Sequence, residues 1–143
     1  MKRLSCIMFA VLLLFLYASC SKERYYTYEE LSRGLTEVQI VDVEQSGAIN
    51  VLCSLDEQKK NECVDFLTKI AIARRLFGDP VTIIGICIRL IYENDSHLLI
   101  CDYGVLRHQV DSRVRYTWEY VVNGEKITEL INSLMMNMGI DYN

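Results

Sequence analysis

One short stretch of the chain contains the three side-chain types of a hydrolytic triad: His108, Asp111 and Ser112. A working triad needs its members brought together from separate rigid elements, so that the imidazole lies between the hydroxyl and the carboxylate. Three positions within a single polar turn do not meet this requirement. A turn between two strands explains the same residues, and we therefore predict no catalytic residue.

A second set of reactive side chains consists of cysteines well inside the chain: Cys53, Cys63, Cys87 and Cys101. Four thiols allow three pairings, and the sequence does not choose among them. Cys87 and Cys101 flank a turn at Asn94 at nearly equal distances, which makes them the candidate disulfide, opposite or diagonal across a hairpin. The alternative is that all four are free thiols that behave as small hydrophobes.

Metal and cofactor sites are not predicted. The chain has no Cys-x-x-Cys pair, and His97 and His108 lack the spacing of zinc ligands. Gly78-Asp79-Pro80 is a turn and not a phosphate-binding loop. With 15 basic and 19 acidic side chains, the chain has a formal net charge of −4. Nucleic acid is therefore not an expected partner, because phosphate binding needs concentrated Lys and Arg.

The elements that would position these residues follow from the hydrophobic pattern. Residues 35–44 and 48–54 alternate as a hairpin, and Ser54 or Asp56 then caps a helix. The apolar stripe of this helix is Cys63, Phe66, Leu67 and Ile70. Strands are predicted at 81–93, 97–105 and 113–122, and in the last of these apolar and polar residues alternate strictly around Tyr116 and Trp118. A last helix begins at Asn123-Gly124, and its apolar stripe is Ile127, Leu130, Ile131 and Leu134. The order β-β-α-β-β-β-α predicts an α+β domain with helices packed on an antiparallel sheet.

The strand at 81–93 is apolar on both alternating sets, which indicates a central position in the sheet. If Ile84 and Ile86 face the core, the opposite set forms a second surface. This candidate partner-binding face consists of Ile83, Arg89, Ile91, Arg113 and Arg115, with Arg107 on the same side and a gap at Gly85. An apolar surface rimmed by arginines is typical of a face that binds a protein or peptide. The alternative is that a helix or the N-terminal hairpin covers it.

The start of the chain has the pattern of an export signal. Lys2 and Arg3 supply positive charge, residues 7–17 are uninterruptedly apolar, and Ala18-Ser19 are the small residues that a signal peptidase requires. The apolar stretch is shorter than the roughly 20 residues that a membrane-spanning helix needs. Residues 1–19 are therefore predicted to be removed on export.

Tyr17-Ala18-Ser19-Cys20 resembles the lipobox of bacterial lipoprotein leaders. The resemblance implies diacylglycerol on the Cys20 thiol, cleavage before Cys20, and anchorage at the extracytoplasmic face of the cell membrane. Two or three acyl chains hold a protein stably, whereas one chain is marginal. Residues 20–35 are then a tether, and residues 36–143 a single domain. The alternative is an ordinary cleaved leader in which Cys20 is an incidental thiol.

The domain is also similar to that of small uncharacterised lipoproteins of Gram-positive bacteria. The matching features are Phe77-Gly78-Asp79-Pro80, the strand glycine Gly85, Tyr116-Thr117-Trp118 and the helix after Asn123. This resemblance implies a shared fold and no known activity. The expectation is a lipid-anchored binding or structural module of the cell envelope. The alternative is an envelope hydrolase whose site the sequence does not connect.

Overall fold

The computed structural model describes residues 23–73, 82–110 and 114–140. Within these ranges, eight strands form one antiparallel sheet, accompanied by three helices. The predicted α+β class and the antiparallel sheet are confirmed, whereas the predicted order of strands and helices is not. Among the described residues, no helix is long and apolar enough to cross a membrane.

The bounds of the elements are as follows. The strands are β1 (Glu23–Tyr25), β2 (Leu35–Val43), β3 (Ile49–Ser54), β4 (Ala71–Ala73), β5 (Gly85–Tyr92), β6 (His97–Ile100), β7 (Gly104–Val110) and β8 (Val114–Val121). The helices are α1 (Tyr28–Ser32), α2 (Glu57–Leu67) and α3 (Glu125–Asn137). Across the sheet the strands lie in the order β1-β4-β8-β7-β6-β5-β2-β3. Strands β5 to β8 are therefore consecutive neighbours, and β1 and β3 are the two edges.

Several predicted elements form where the pattern placed them. Strands β2 and β3 pair as the predicted hairpin. Helix α2 begins after Asp56, whose side chain accepts a hydrogen bond from the Lys59 amide at 2.9 Å. Such a cap satisfies one of the free amides of the first helical turn. Helix α3 follows Asn123-Gly124 and buries the predicted stripe at Ile127, Ile131 and Leu134.

The predicted first helix, whose apolar stripe extended to Ile70, is too long. Helix α2 ends at Leu67, and Ala71–Ala73 form β4 between β1 and β8. Ile70 and Ala73 continue the apolar spacing of the helix at three-residue steps from Leu67, which explains the error. Alanine has little strand preference of its own, so pairing with two neighbouring strands decides the conformation of this segment.

The predicted single strand at 97–105 is two strands. Cys101 donates its amide hydrogen to the Gly104 carbonyl at 2.9 Å, and this tight turn separates β6 from β7. Leu98, Ile100 and Val105 all belong to the same buried cluster. The apolar pattern continues across the turn, and for this reason it gave no sign of the reversal.

Residues 23–35, predicted as part of a tether, carry regular structure that packs on the domain. Strand β1 pairs with β4, and a capping box between Thr27 and Glu30 starts α1. Tyr26 and Leu31 are buried in the main core. The segment is attached through a tertiary pairing that local sequence does not encode.

The main core lies on one face of the sheet, which we call the helix face. Buried side chains of all three helices pack there, including Leu31 of α1, Leu67 of α2 and Ile127 of α3. Gly124 begins α3 against the turn before β7, where an added Cβ would lie 1.8 Å from the Asp102 carbonyl oxygen. Only glycine permits this close approach of the two backbones. The opposite side of the sheet, which we call the outer face, carries a smaller cluster.

Candidate functional site

The outer face is built from side chains that alternate with those of the main core along each strand. The strand register aligns them in two rows. The first row is Glu37, Ile91, His97, His108 and Tyr116, and the second is Gln39, Arg89, Leu99, Leu106 and Trp118. An antiparallel sheet tolerates such a face with a mixed polar and apolar surface, because only one side has to be packed.

One end of the outer face is apolar and closed. Its buried members are Val41, Val43, Ile83, Cys87, Leu99 and Cys101. Ile83 comes from the segment before β5, and the Tyr103 hydroxyl holds this segment by donating to the Thr82 carbonyl at 2.9 Å and accepting from the Ile84 amide at 2.8 Å. The sequence predicted this end as a surface. It is a second, smaller core.

The other end of the outer face is a group of polar and aromatic side chains, which we call the polar patch. It consists of Glu37, Gln39, Arg89, His97, His108 and Tyr116. Glu37 accepts hydrogen bonds from Ser54 at 2.5 Å and from Gln39 at 2.9 Å. These two bonds, and the charge of Arg89, lower the pKa of Glu37, so the carboxylate is ionised at neutral pH.

Three buried polar atoms of the polar patch have no hydrogen-bond partner among the described residues. They are Gln39 Oε1, Arg89 Nε and His108 Nδ1. Leaving a buried donor or acceptor unpaired costs about 1–3 kcal/mol, and the great majority of such atoms in folded proteins are paired. Their concentration in two adjacent rows marks the patch as the part of the sheet with unused hydrogen-bonding capacity.

The two histidines of the chain meet inside the polar patch. The His97 and His108 rings stack with centroids 4.6 Å apart, and Tyr116 lies against His108 at 4.9 Å. Burial, followed by the charges of Arg89 and His108, lowers the pKa of His97 to about 4. His97 is therefore neutral at physiological pH.

A groove of about 580 Å³ adjoins the polar patch at the end of the sheet. Its lining includes His97 and His108 of the outer face, Arg107 and Tyr92 of the helix face, and Arg33, which follows α1. The Tyr92 hydroxyl is buried without a partner among the described residues, and burial raises its pKa. Small-molecule pockets are mostly apolar and enclosed. This groove has a largely polar and charged lining, which is closer to the rim of a protein interface.

The arginines predicted to share one face do not all do so. Arg89 lies on the outer face, but Arg107 aligns with Leu98 on the helix face, with its guanidinium 5.8 Å from the centre of the Tyr26 ring. Arg115 lies in β8 opposite Gln109, and its side chain is outside the described part of the chain. Arg113, Asp111 and Ser112 are also outside it, as is Cys20.

The isoleucines of the candidate face have different surroundings. Ile83, with 5% of its surface exposed, is part of the smaller core, which corrects its predicted exposure. Ile91 is half-buried beside His97. Ile84 is exposed and does not face the core as predicted, because β5 begins only at Gly85. Gly85 has φ +89°, and an added Cβ would meet no atom within 4 Å, so the predicted gap exists there.

Of the polar patch, the sequence predicted only Arg89 as part of a binding face. His97 and His108 were considered only as metal ligands or triad members, and Gln39 was not considered. The available signal was the turn at Cys101–Gly104: with β6 and β7 recognised as a hairpin, the register pairs His97 with His108. Among the described residues, no group of three His, Cys, Asp or Glu side chains could hold a metal ion.

Comparison with known proteins gives no relative for this chain. No protein-family model matches it, and no match was found among curated proteins or among solved structures. The candidate site is therefore supported by the geometry of the outer face alone.

Proposed function

We propose that the protein is exported, is anchored by lipid on Cys20 at the extracytoplasmic face of a bacterial cell membrane, and binds a protein or peptide through the polar patch. The observation that carries the binding role is the group of unpaired buried polar atoms on Gln39, Arg89 and His108. These atoms are shielded from solvent in the unbound fold, so a partner would reach them only by displacing the side chains that cover them. Hydrogen bonds made there would recover the free energy that their desolvation costs.

The composition of the patch supports a macromolecular partner. Aromatic residues and arginine are enriched in the centres of protein interfaces, where they supply large contact area and directed hydrogen bonds. Tyr116 is 60% exposed at one end of the patch, and Ile91 and Arg89 are half-buried on the same face, three strands away in β5. The adjoining groove extends the same surface toward α1.

The leader supports the membrane anchor. Positive charge, the apolar run and Tyr17-Ala18-Ser19-Cys20 follow one another as in lipoprotein leaders. Strand β1 begins at Glu23, three residues after Cys20, and a fully extended chain of that length spans roughly 10 Å. A lipid on Cys20 would therefore hold the β1 edge of the sheet close to the bilayer. The partner would have to be reachable at the membrane surface.

Photo-crosslinking from single positions tests the binding role. A photoreactive amino acid at Tyr116 should give a defined crosslinked product in the native host. Met136 is the matched control, because it is a large, 80% exposed residue on a different surface, that of α3. Ile91→Glu should abolish the product from position 116 without unfolding the protein. A product that forms equally from both positions would contradict a specific face.

Mass spectrometry of the protein from its host tests the anchor. The expected product begins at Cys20 and carries acyl chains, and Cys20→Ala should release the protein from the membrane fraction. An intact, unmodified Met1 terminus would contradict both export and lipidation.

A further inference from the structure

The four cysteines of the domain are divided between the two faces of the sheet. Cys63 of α2 is buried in the main core, and Cys53 of β3, aligned with Ile40, packs against the same core. Cys87 and Cys101 belong to the smaller core of the outer face. A bond between a thiol of one face and a thiol of the other would have to pass through the sheet. Two of the three pairings that the sequence allows are thereby excluded.

The strand register aligns Cys87 with Cys101. Strands β5 and β6 pair Ile88 with Ile100, and the next step along both strands brings these two cysteines opposite each other. Cys87 comes one residue before Ile88 and Cys101 one residue after Ile100, so the two cysteines occupy the same cross-strand position.

The hydrogen-bond pattern determines which type of cross-strand position this is. Tyr92 donates to Ser96 at 2.9 Å, so 92/96 is a hydrogen-bonded position of this hairpin. Hydrogen-bonded and non-hydrogen-bonded positions alternate, which makes 87/101 a non-hydrogen-bonded position. The Cys101 amide, which donates to Gly104 across the next turn, agrees with this assignment. Cα atoms at such positions are about 4.5 Å apart, inside the range of about 4.4–6.8 Å that disulfides require.

The immediate surroundings of the two thiols differ. Both are free thiols in this structure; Cys87 Sγ donates to the Gly85 carbonyl at 3.2 Å and Cys101 Sγ to the Gly104 carbonyl at 3.4 Å. The hydrogen bond with Cys87 is the main cause that lowers the pKa of Cys101, and the backbone of Tyr103 and Gly104 acts in the same direction. The same hydrogen bond and burial raise the pKa of Cys87. Both side chains are almost completely buried in the folded protein. Oxidation is therefore expected while the chain folds, before the outer face closes over them.

We infer that Cys87 and Cys101 form a disulfide that joins the start of β5 to the turn between β6 and β7. The oxidant is a disulfide, either a small molecule or a thiol oxidoreductase. One of the two thiolates attacks one of its sulfurs and releases one thiol; the other thiolate then attacks the Sγ of the first cysteine and releases the second. Two hydrogen atoms leave the chain, and the oxidant disulfide is reduced to two thiols. An extracytoplasmic compartment would supply such an oxidant, and to that extent the inference depends on the proposed export.

The bond would stabilise the region that closes the outer face. It would enclose residues 87–101 in a covalent loop and so restrict the unfolded chain. It would also fix the turn that carries Tyr103, whose hydroxyl holds the segment with Ile83 over the smaller core.

Refolding the full chain with oxidised and reduced glutathione, followed by alkylation and tryptic mapping, tests the pairing. Trypsin cleaves after Arg75, Arg89 and Arg107, so the two cysteines fall in peptides 76–89 and 90–107. We expect these peptides to be joined, with a mass lower by two hydrogen atoms than their sum, while Cys53 and Cys63 are alkylated. Reduction should lower Tm by roughly 5–10 °C.

Variants separate this bond from the other thiols. Cys101→Ala should remove the difference in Tm between oxidised and reduced protein, whereas Cys53→Ser, on the other face, should leave it unchanged. Alkylation of both Cys87 and Cys101 in the refolded wild-type protein would overturn the inference even if a variant failed to fold. A bond that forms in the refolded chain but is absent from protein of the native host would support the pairing and contradict the proposed export.

Discussion

The two faces of the sheet differ in how completely their polar groups are used. On the helix face, Glu119 lies beside the main core and accepts hydrogen bonds from Arg24 Nε and Nη2 at 3.0 Å and from Tyr26 at 2.8 Å. On the outer face, Gln39, Arg89 and His108 each keep a buried polar atom without a partner among the described residues. In the same part of the chain the helix face has one such atom, the Tyr92 hydroxyl. A face whose polar groups are paired contributes to folding. A face that leaves buried polar groups unpaired lowers the stability of the fold, and those groups can form hydrogen bonds with a partner.

The largest expected effect compares one leucine from each face. Leu98→Ala should lower the free energy of unfolding by about 3 kcal/mol, because Leu98 is fully buried in the main core and its removal leaves a cavity. Leu106→Ala should cost about 1 kcal/mol, because Leu106 is only partly buried. Urea denaturation measures both values. Equal losses would show that the outer face is packed as fully as the helix face.

A second prediction concerns the polar contacts of the helix face. Glu119→Gln should lower the free energy of unfolding by about 1 kcal/mol, since it removes the charge that pairs with Arg24, and partial exposure of Arg24 limits the loss. Glu29→Gln is the control, because its partner Arg33 is highly exposed and such pairs contribute little. Urea denaturation again gives the measurement. A loss as small as that of the control would mean that β1 is held by its strand pairing alone.

A third prediction concerns the pH dependence of the outer face. The pKa of His97 is about 4 in the folded protein and near 6.5 when unfolded, so the unfolded chain binds the proton more readily. The stabilising contribution of His97 to the free energy of unfolding is complete above about pH 6.5. It decreases as the pH falls from 6.5 toward 4, and below pH 4 it no longer changes. Partial exposure of the ring reduces its size. His97→Gln should flatten the stability profile in this window, and an unchanged profile would contradict the assigned environment of His97.

The smallest expected effect on stability is that of Arg89→Met. Arg89→Met removes an unpaired buried donor, which favours folding, and also removes the positive charge that acts on Glu37, which opposes it, so the free energy of unfolding should change by no more than about 0.5 kcal/mol. The same substitution should strongly reduce crosslinking from position 116. A large loss of stability with intact crosslinking would show that Arg89 contributes to folding and not to binding.

Local pattern was a good guide wherever one face of an element is buried and the other is not. The strict alternation around Tyr116 and Trp118 predicted β8, and the stripe of Ile127, Ile131 and Leu134 predicted α3. The pattern did not predict β4, because Ala71–Ala73 become a strand through β1 and β8. It placed Ile83 on a surface because alternation cannot tell which of two apolar sets will be covered.

The sequence by itself determined the α+β class, the hairpin of β2 and β3 and the presence of the two longer helices, all of which depend on periodicity over a few turns. Only the tertiary structure decided that His97 stacks on His108, that Arg107 and Arg89 lie on opposite faces, and that the segment around Tyr26 belongs to the domain. These facts depend on strand register and on pairings between distant parts of the chain. A shift of one residue in register moves every side chain of a strand to the other face, and no local pattern encodes that choice when both faces are partly apolar.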